Sequence, residues 1–234
     1  MIHQFILAAP KPGMETADFQ DYWLRVHATR YASRIPQIKQ YLIDRRIPSD
    51  TYPGQSPLPH QGIAEIWLES EETQLASLQS PEFLDGARRD EPNWAAFWLT
   101  IVVDTTAHEI PVTSATRNPM GVKLTTLLKR APGTSVQDYR RQSLDRYAPL
   151  VSELPGLRRH LHCHARDGSY AFGEARFDGV EQLWFDDEES LRTALASRHF
   201  VERVQLARQT LADPGQVFSL AATEHWVIGP TDGG

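Results

Sequence analysis

Apolar and polar positions change their period along this chain in an ordered way. Ile2 to Ala9 is a short apolar run ended by Pro10, Pro12 and Gly13, which predicts a strand. Phe19, Trp23, Val26 and Tyr31 then recur at helical spacing. Thr16 suits the N-cap of that helix because its hydroxyl can accept a free backbone N–H of the first turn. Asp18 follows near the positive helix end, and Pro36 closes the segment. Ile38 to Arg46 alternates between two differently lined faces and predicts a second strand. Pro48 to Gln61 holds four prolines and predicts an irregular loop. Ile63 to Leu68 predicts a third strand. Glu71 to Leu78 and Pro81 to Arg89 predict a helix broken at Ser80-Pro81, and Phe97 to Val103 begins a fourth strand.

The second half repeats this order. Met120 to Lys129 predicts a strand, Ser135 caps a helix that ends at Pro155, Leu157 to Ala165 and Val180 to Phe185 predict strands, Glu188 to Leu211 is helical, and Val217 to Ile228 closes the set. Landmarks pair across the halves: Lys11-Pro12-Gly13 with Ala131-Pro132-Gly133, Gly62 to Leu68 with Gly179 to Phe185, and Ser80-Pro81-Glu82-Phe83 with Ser197-Arg198-His199-Phe200. The offset, 120 residues at Gly13/Gly133 and 117 at Gly62/Gly179, is that of a small domain and too long for a solenoid repeat. The expected fold is α+β, with two ferredoxin-like β-α-β-β-α-β repeats over residues 1–112 and 119–229. Strands such as Ile63 to Leu68 are apolar on both sides and need cover on both, so the two repeats are expected to form an intrachain dimeric α+β barrel. Glu109 to Pro119 reads as the link and Gly229 to Gly234 as a flexible tail.

Composition narrows the partners. A chain that is 41% hydrophobic and 23% charged is of ordinary globular type. A net charge of -6, with no basic stripe, argues against a nucleic-acid surface or an anionic membrane face. No apolar run approaches the roughly 20 residues of a membrane helix. The N-terminus lacks signal-peptide features, and Cys163 alone excludes an internal disulfide, so a cytoplasmic location is expected. Dinucleotide, Walker and Gly-x-Ser-x-Gly motifs are absent, which disfavours hydride transfer, phosphoryl transfer and serine hydrolysis.

Lys11-Pro12-Gly13 followed by Phe19-x-x-Tyr22-Trp23-x-x-x-His27-Ala28 resembles the EthD-like branch of the dimeric α+β barrel superfamily. The Pro155-Gly156-Leu157-Arg158-Arg159 segment and the Ser80 to Phe83 and Ser197 to Phe200 endings are similar to it as well. The second copy departs from the pattern, because Tyr22, Trp23 and His27 align with Gln142, Ser143 and Tyr147. The resemblance implies small enzymes that act without a cofactor on aromatic, lactone or polyketide-like substrates: isomerases, cyclases, decarboxylases, dehydratases and cofactor-free monooxygenases. Haem proteins occur elsewhere in the superfamily, and some EthD-like proteins accompany an oxygenase. It also implies that a histidine placed like His199 acts as a base in cyclising members.

The candidate chemistry is carried by histidines. His27 lies four residues after Trp23 and eight after Phe19, on roughly the inward helix face. An imidazole aimed into an apolar cavity can move a proton in either direction near neutral pH. The plainer alternative is a helix histidine bonded to backbone. His160, His162 and His164 alternate with Leu161, Cys163 and Ala165, so their rings share one strand face at roughly 7 Å spacing. They read as an acid/base wall, as a polar strand face, or as part of a metal site that would still require another ligand. Tyr41, Ile43 and Arg45 hold the matching positions in the first half. His27, His162, His164, His199 and Tyr147 are therefore the catalytic candidates. Tyr41, Trp23, Arg45 and His160 are the substrate-binding candidates, and no metal or cofactor is assigned. Trp94 could line an aromatic-accepting pocket or pack the core, and His60 in the proline-rich loop is expected to be exposed.

The expected function is cofactor-independent proton transfer, as isomerisation, cyclisation or elimination, on a small apolar carbonyl or aromatic compound. A cofactor-free monooxygenase and a non-catalytic accessory protein are the alternatives. The internal repeat would act as a pseudo-dimer, with a further homodimer left open.

Overall fold

The computed structural model of the chain describes residues 1–48, 58–113, 121–171 and 173–230. Parts of the expected proline-rich loop (49–57), the expected link (114–119) and the expected tail (231–234) lie outside the described residues.

Eight strands follow the predicted order: β1 Ile2–Ala8, β2 Gln40–Arg46, β3 Gly62–Leu68, β4 Ile101–Ile110, β5 Val122–Arg130, β6 Leu157–Ala165, β7 Gly179–Phe185 and β8 Ala212–Ile228. Helices run from Thr16–Tyr22 and Glu71–Leu78 in the first half, and from Val136–Gln142, Glu188–Ala196 and Gln205–Leu211 in the second. Both halves turn tightly after their first strand, at Gly13 and Gly133, whose φ values of +81° and +82° need a residue without a Cβ.

Capping explains where three of the helices begin. Ser70, Ser135 and Asp187 are extended residues whose side chains accept the amides of Thr73, Asp138 and Ser190. The Ser80 and Ser197 hydroxyls accept the amides of Phe83 and Phe200, which restarts the broken helices at matching places. Thr16 does not act as a cap. The turn at Gly13 leaves Glu15 as the extended residue, with no side-chain capping bond, and Thr16 is already helical. Phe97–Leu99 is a 3₁₀ turn rather than strand.

One feature of both halves was not visible in the pattern. π-helical stretches occupy Trp23–Tyr31 and Glu82–Ala87 in the first half, and Ser143–Tyr147 and Phe200–Val204 in the second. Such turns are rare and frequent at functional sites. Their recurrence at matching places carries the repeat down to backbone geometry.

The described residues form two compact units. One contains Met1–Arg46, Leu58–Asp104 and the segment from Glu224. In it β3 lies between β1 and β2, both antiparallel, with Ile2 opposite Leu68 and Tyr41 opposite Ile66. Its core joins Ile2, Tyr41 and Ile66 from the strands to Phe19, Trp23 and Trp94. The other unit contains Thr105–Thr223 and the segment from Ile47. Its strands run β8-β5-β7-β6-β4, all antiparallel, and its core packs Leu124, Leu183 and Phe185 against Tyr139, Val151 and Leu191. Among the described residues no helix is long and apolar enough to cross a membrane.

Candidate active site

The first unit encloses a cavity of about 130 Å³ between its strands and helices. Trp23, His27, Tyr41, Ala64, Ile66 and Trp94 are among its lining residues. The walls are mostly apolar because Ala8, Ala64 and Ile66 project from strand positions that alternate inward, while Trp23 and His27 come from the π-helical stretch. Trp23 and Trp94 stack at 4.9 Å between centroids, and the His27 ring lies 4.7 Å from that of Trp94.

His27 is buried, and its Nδ1 lies 3.0 Å from Asp90 Oδ2. Asp90, also buried, accepts further hydrogen bonds at Oδ1 from the Tyr22 hydroxyl at 2.8 Å and from Asn93 Nδ2 at 3.0 Å. A carboxylate offers only acceptors, so the proton of neutral His27 sits on Nδ1. Nε2 then carries the lone pair, on a ring that lines the cavity. Burial lowers the His27 pKa below its ordinary 6.5, and the bond and charge of Asp90 oppose that shift. Burial, then Asp90, raises the Tyr22 hydroxyl to about 12, so it remains a donor. The result is a neutral imidazole, oriented from behind by a carboxylate, in an aromatic wall. This arrangement can take up a proton from a bound molecule and return it.

Tyr41 and Trp23, both singled out from the sequence as substrate contacts, line the same cavity. Burial pushes the Tyr41 hydroxyl well above its ordinary pKa. Arg45, the other first-half candidate, turns away: its guanidinium meets Asp21 at 3.0 Å and Gln20 at 3.4 Å.

In the second unit the three histidines of β6 share one strand face, as their alternation predicts, and that face is buried rather than solvated. His160, His162 and His164 are all buried, with centroid spacings of 6.5 and 5.2 Å. Register places Glu181 directly opposite His162. His160 Nε2 lies 3.2 Å from Glu181 Oε1, and the Tyr147 hydroxyl donates to Glu181 Oε2 at 2.9 Å. Burial alone would raise the Glu181 pKa, but the hydrogen bonds and charges of His160 and His162 outweigh it and hold the carboxyl well below its usual range. His164 bonds Ser143 Oγ at 2.7 Å and touches the His108 ring at 4.7 Å. Burial first, then His162, His108 and Arg140, push its pKa down to about 3. His199 stands apart from this cluster, with Nε2 bonded to the Leu150 carbonyl at 2.7 Å.

His60 is buried rather than exposed. Its Nε2 bonds the Leu99 carbonyl at 2.8 Å, while Arg46 holds the His60 carbonyl at 2.8 Å and draws the end of the loop inward. The residues missed from the sequence are the carboxylates. Asp90 lies 63 positions from His27 and carries no local motif. Glu181 did leave a signal, since it stands where the first repeat has the cavity-lining Ala64.

Comparison with known proteins agrees with the repeat. The sequence profile of the EthD domain matches residues 11–97 and again residues 131–215. Among curated protein sequences nothing matches significantly. An anthrone oxidase-like protein of known structure superposes with a TM-score of 0.67 at 11% identity, covering 100% of this chain and 95% of that one. Proteins provisionally assigned as monooxygenases superpose less closely. The one from Fusobacterium nucleatum gives a TM-score of 0.57 at 7% identity over 95% and 91% of the two chains. The one from Lactobacillus acidophilus gives 0.53 at 9% over 96% and 94%. At these identities the likeness is one of fold.

Proposed function

We propose that this chain, which belongs to the EthD family and carries two tandem EthD domains, is an enzyme whose first repeat transfers a proton without a cofactor. The substrate is a small, mostly apolar carbonyl or aromatic compound held in the first-repeat cavity. His27 Nε2 is the base. Asp90 fixes the tautomer from behind and stabilises the imidazolium that forms, as the carboxylate of a serine-protease triad does. Tyr41 steadies the developing enolate oxygen through its neutral hydroxyl. Trp23 and Trp94 hold the flat part of the molecule. The observation that carries this reading is the 3.0 Å contact between His27 and Asp90 at the wall of an aromatic cavity.

Isomerisation, cyclisation and elimination all begin with such a proton abstraction. A second reading shares the first step. Deprotonation of a phenol or enol gives an electron-rich anion that can react directly with oxygen, which would make the protein a cofactor-free monooxygenase. The names of its structural neighbours favour this branch. A non-catalytic role beside an oxygenase is the remaining alternative. The ferredoxin-like form of each repeat (1–112 and 119–229), their closure into an intrachain barrel and a cytoplasmic location belong to the same proposal. Arg45 and His199 take no part in it, since each is engaged with other protein groups.

The test is a panel of enolisable ketones, lactones and hydroxylated aromatic ketones incubated with the protein in D₂O. NMR follows deuterium entry at the acidic carbon, and an electrode follows oxygen. Deuterium exchange that is lost in His27→Ala supports the proposal, and oxygen uptake with the same dependence selects the monooxygenase branch. Exchange and uptake that are both independent of His27 would remove it from the mechanism.

A further inference from the structure

We propose that the second repeat holds one first-row transition-metal dication of the zinc class, ligated by His160 Nε2, His162 Nδ1 and the Glu181 carboxylate. The three ligand atoms lie within 4.8 Å of one another, and all three residues are buried. His160 Nε2 is 3.2 Å and His162 Nδ1 is 3.8 Å from the same oxygen, Glu181 Oε1. A tetrahedral ion bonded at about 2.0–2.1 Å spaces its ligands by roughly 3.3–3.5 Å, so each of these gaps needs to change by only a few tenths of an ångström.

Hydrogen bonding around the cluster gives the stronger argument. The Ser152 hydroxyl donates to the Ala148 carbonyl at 3.1 Å, which leaves its oxygen to accept from His160 Nδ1 at 3.3 Å. With that hydroxyl orientation the Nδ1–H tautomer of His160 turns its Nε2 lone pair toward Glu181 Oε1, as a metal ligand requires. A cation held between that lone pair and the carboxylate would satisfy both, as would a proton on Nε2 in the metal-free protein. A proton on Nε2 would satisfy that pair alone. It would leave His162, which is fully buried and has no hydrogen-bond partner on either ring nitrogen among the described residues. A metal ion engages all three groups at once, through His160 Nε2, His162 Nδ1 and the Glu181 carboxylate.

The outer shell has the matching form. Tyr147 binds the far oxygen of Glu181 and Ser152 binds the far nitrogen of His160, so both ligands are oriented from behind. Two imidazoles and a carboxylate favour zinc, iron or cobalt over magnesium or calcium, and three protein ligands leave a position open for water or substrate. The first repeat has Tyr41, Ile43 and Ala64 at the matching positions and lacks such a donor set. One ion per chain is therefore expected, in the second repeat.

The experiment uses the full chain, purified from cells grown with added zinc and passed over a chelating resin before elemental analysis. In parallel the chain is refolded with Co²⁺ and its visible d–d absorption is recorded. About one zinc per chain is expected, together with a cobalt spectrum of low-symmetry, nitrogen-containing coordination. His162→Gln and Glu181→Gln, each checked for native circular dichroism, should reduce both signals at least about tenfold. His199→Gln, outside the cluster, should leave them unchanged. Wild-type protein that carries no zinc and gives no cobalt band overturns the proposal. So do folded His162→Gln and Glu181→Gln variants that retain the wild-type metal content. Should a variant fail to fold, the wild-type metal content and cobalt spectrum still decide.

Discussion

His27 Nδ1 and Asp90 Oδ2 meet at 3.0 Å although 63 residues separate them in sequence. The π-helical stretch supplies one partner, and the short helix Arg88–Asp90, following a second π-helical stretch, supplies the other. Asp90→Asn keeps the shape of the pair but removes its charge, and the amide can present an N–H toward Nδ1, which would favour the wrong tautomer. We expect kcat/KM to fall by about 10²- to 10⁴-fold with a native circular dichroism spectrum. Steady-state kinetics on any substrate found by deuterium exchange checks this. An unchanged kcat/KM would show that Asp90 is only structural.

The same pair sets a pH dependence. Burial depresses the His27 pKa below 6.5, and the neutral ring is the working base. The rate should therefore be flat near neutrality and fall as pH drops through the depressed value. Asp90 opposes the depression, so the acid limb of Asp90→Asn should move to still lower pH. For stability, the folded state binds this proton less readily than the unfolded chain. Its contribution is complete above about pH 6.5 and is lost progressively as pH falls toward the folded-state value. Urea titrations of wild type and His27→Gln, compared across that window, measure the difference.

Gly62 and Gly179 occupy equivalent strand positions, each under a ring from the first helix of its repeat. A Cβ on Gly62 would lie 2.8 Å from the Asp44 carbonyl oxygen and 2.9 Å from the Trp23 ring. Gly62→Ala should cost about 1–3 kcal/mol and displace a wall of the cavity, so it should raise KM as well. Chemical denaturation and kinetics read the two effects separately.

A Cβ on Gly179 would clash with the Tyr139 hydroxyl, which is buried without a hydrogen-bond partner among the described residues. Tyr139→Phe removes that orphan group and should be neutral or mildly stabilising, by up to about 1 kcal/mol. Gly179→Ala alone should destabilise by about 1–3 kcal/mol. Combined with Tyr139→Phe it should recover part of that loss, a coupling that a double-mutant cycle measures.

The parts of this account that were legible in the sequence are those set by local period. The paired Pro-Gly turns, the eight strands in order and the shared face of His160, His162 and His164 follow from alternation and turn chemistry. What escaped depends on register or on backbone detail. Asp90 reaches His27 only through tertiary packing, and the π turns change helical phase without any residue type that announces them. Thr16 failed as a cap because the turn at Gly13 leaves Glu15 as the extended residue. Glu181 was the recoverable case, a carboxylate at an inward strand position where the other repeat has alanine.

In the proposed mechanism His27 presents an unprotonated Nε2 to the first-repeat cavity while Asp90 holds its Nδ1–H. ¹⁵N NMR of the histidine-labelled protein, with His27 assigned by its Gln variant, tests this without any substrate. The Nδ1–H tautomer is expected at pH 7, titrating below 6.5. An Nε2–H tautomer at pH 7, or an imidazolium that persists above it, would rule out His27 as the base.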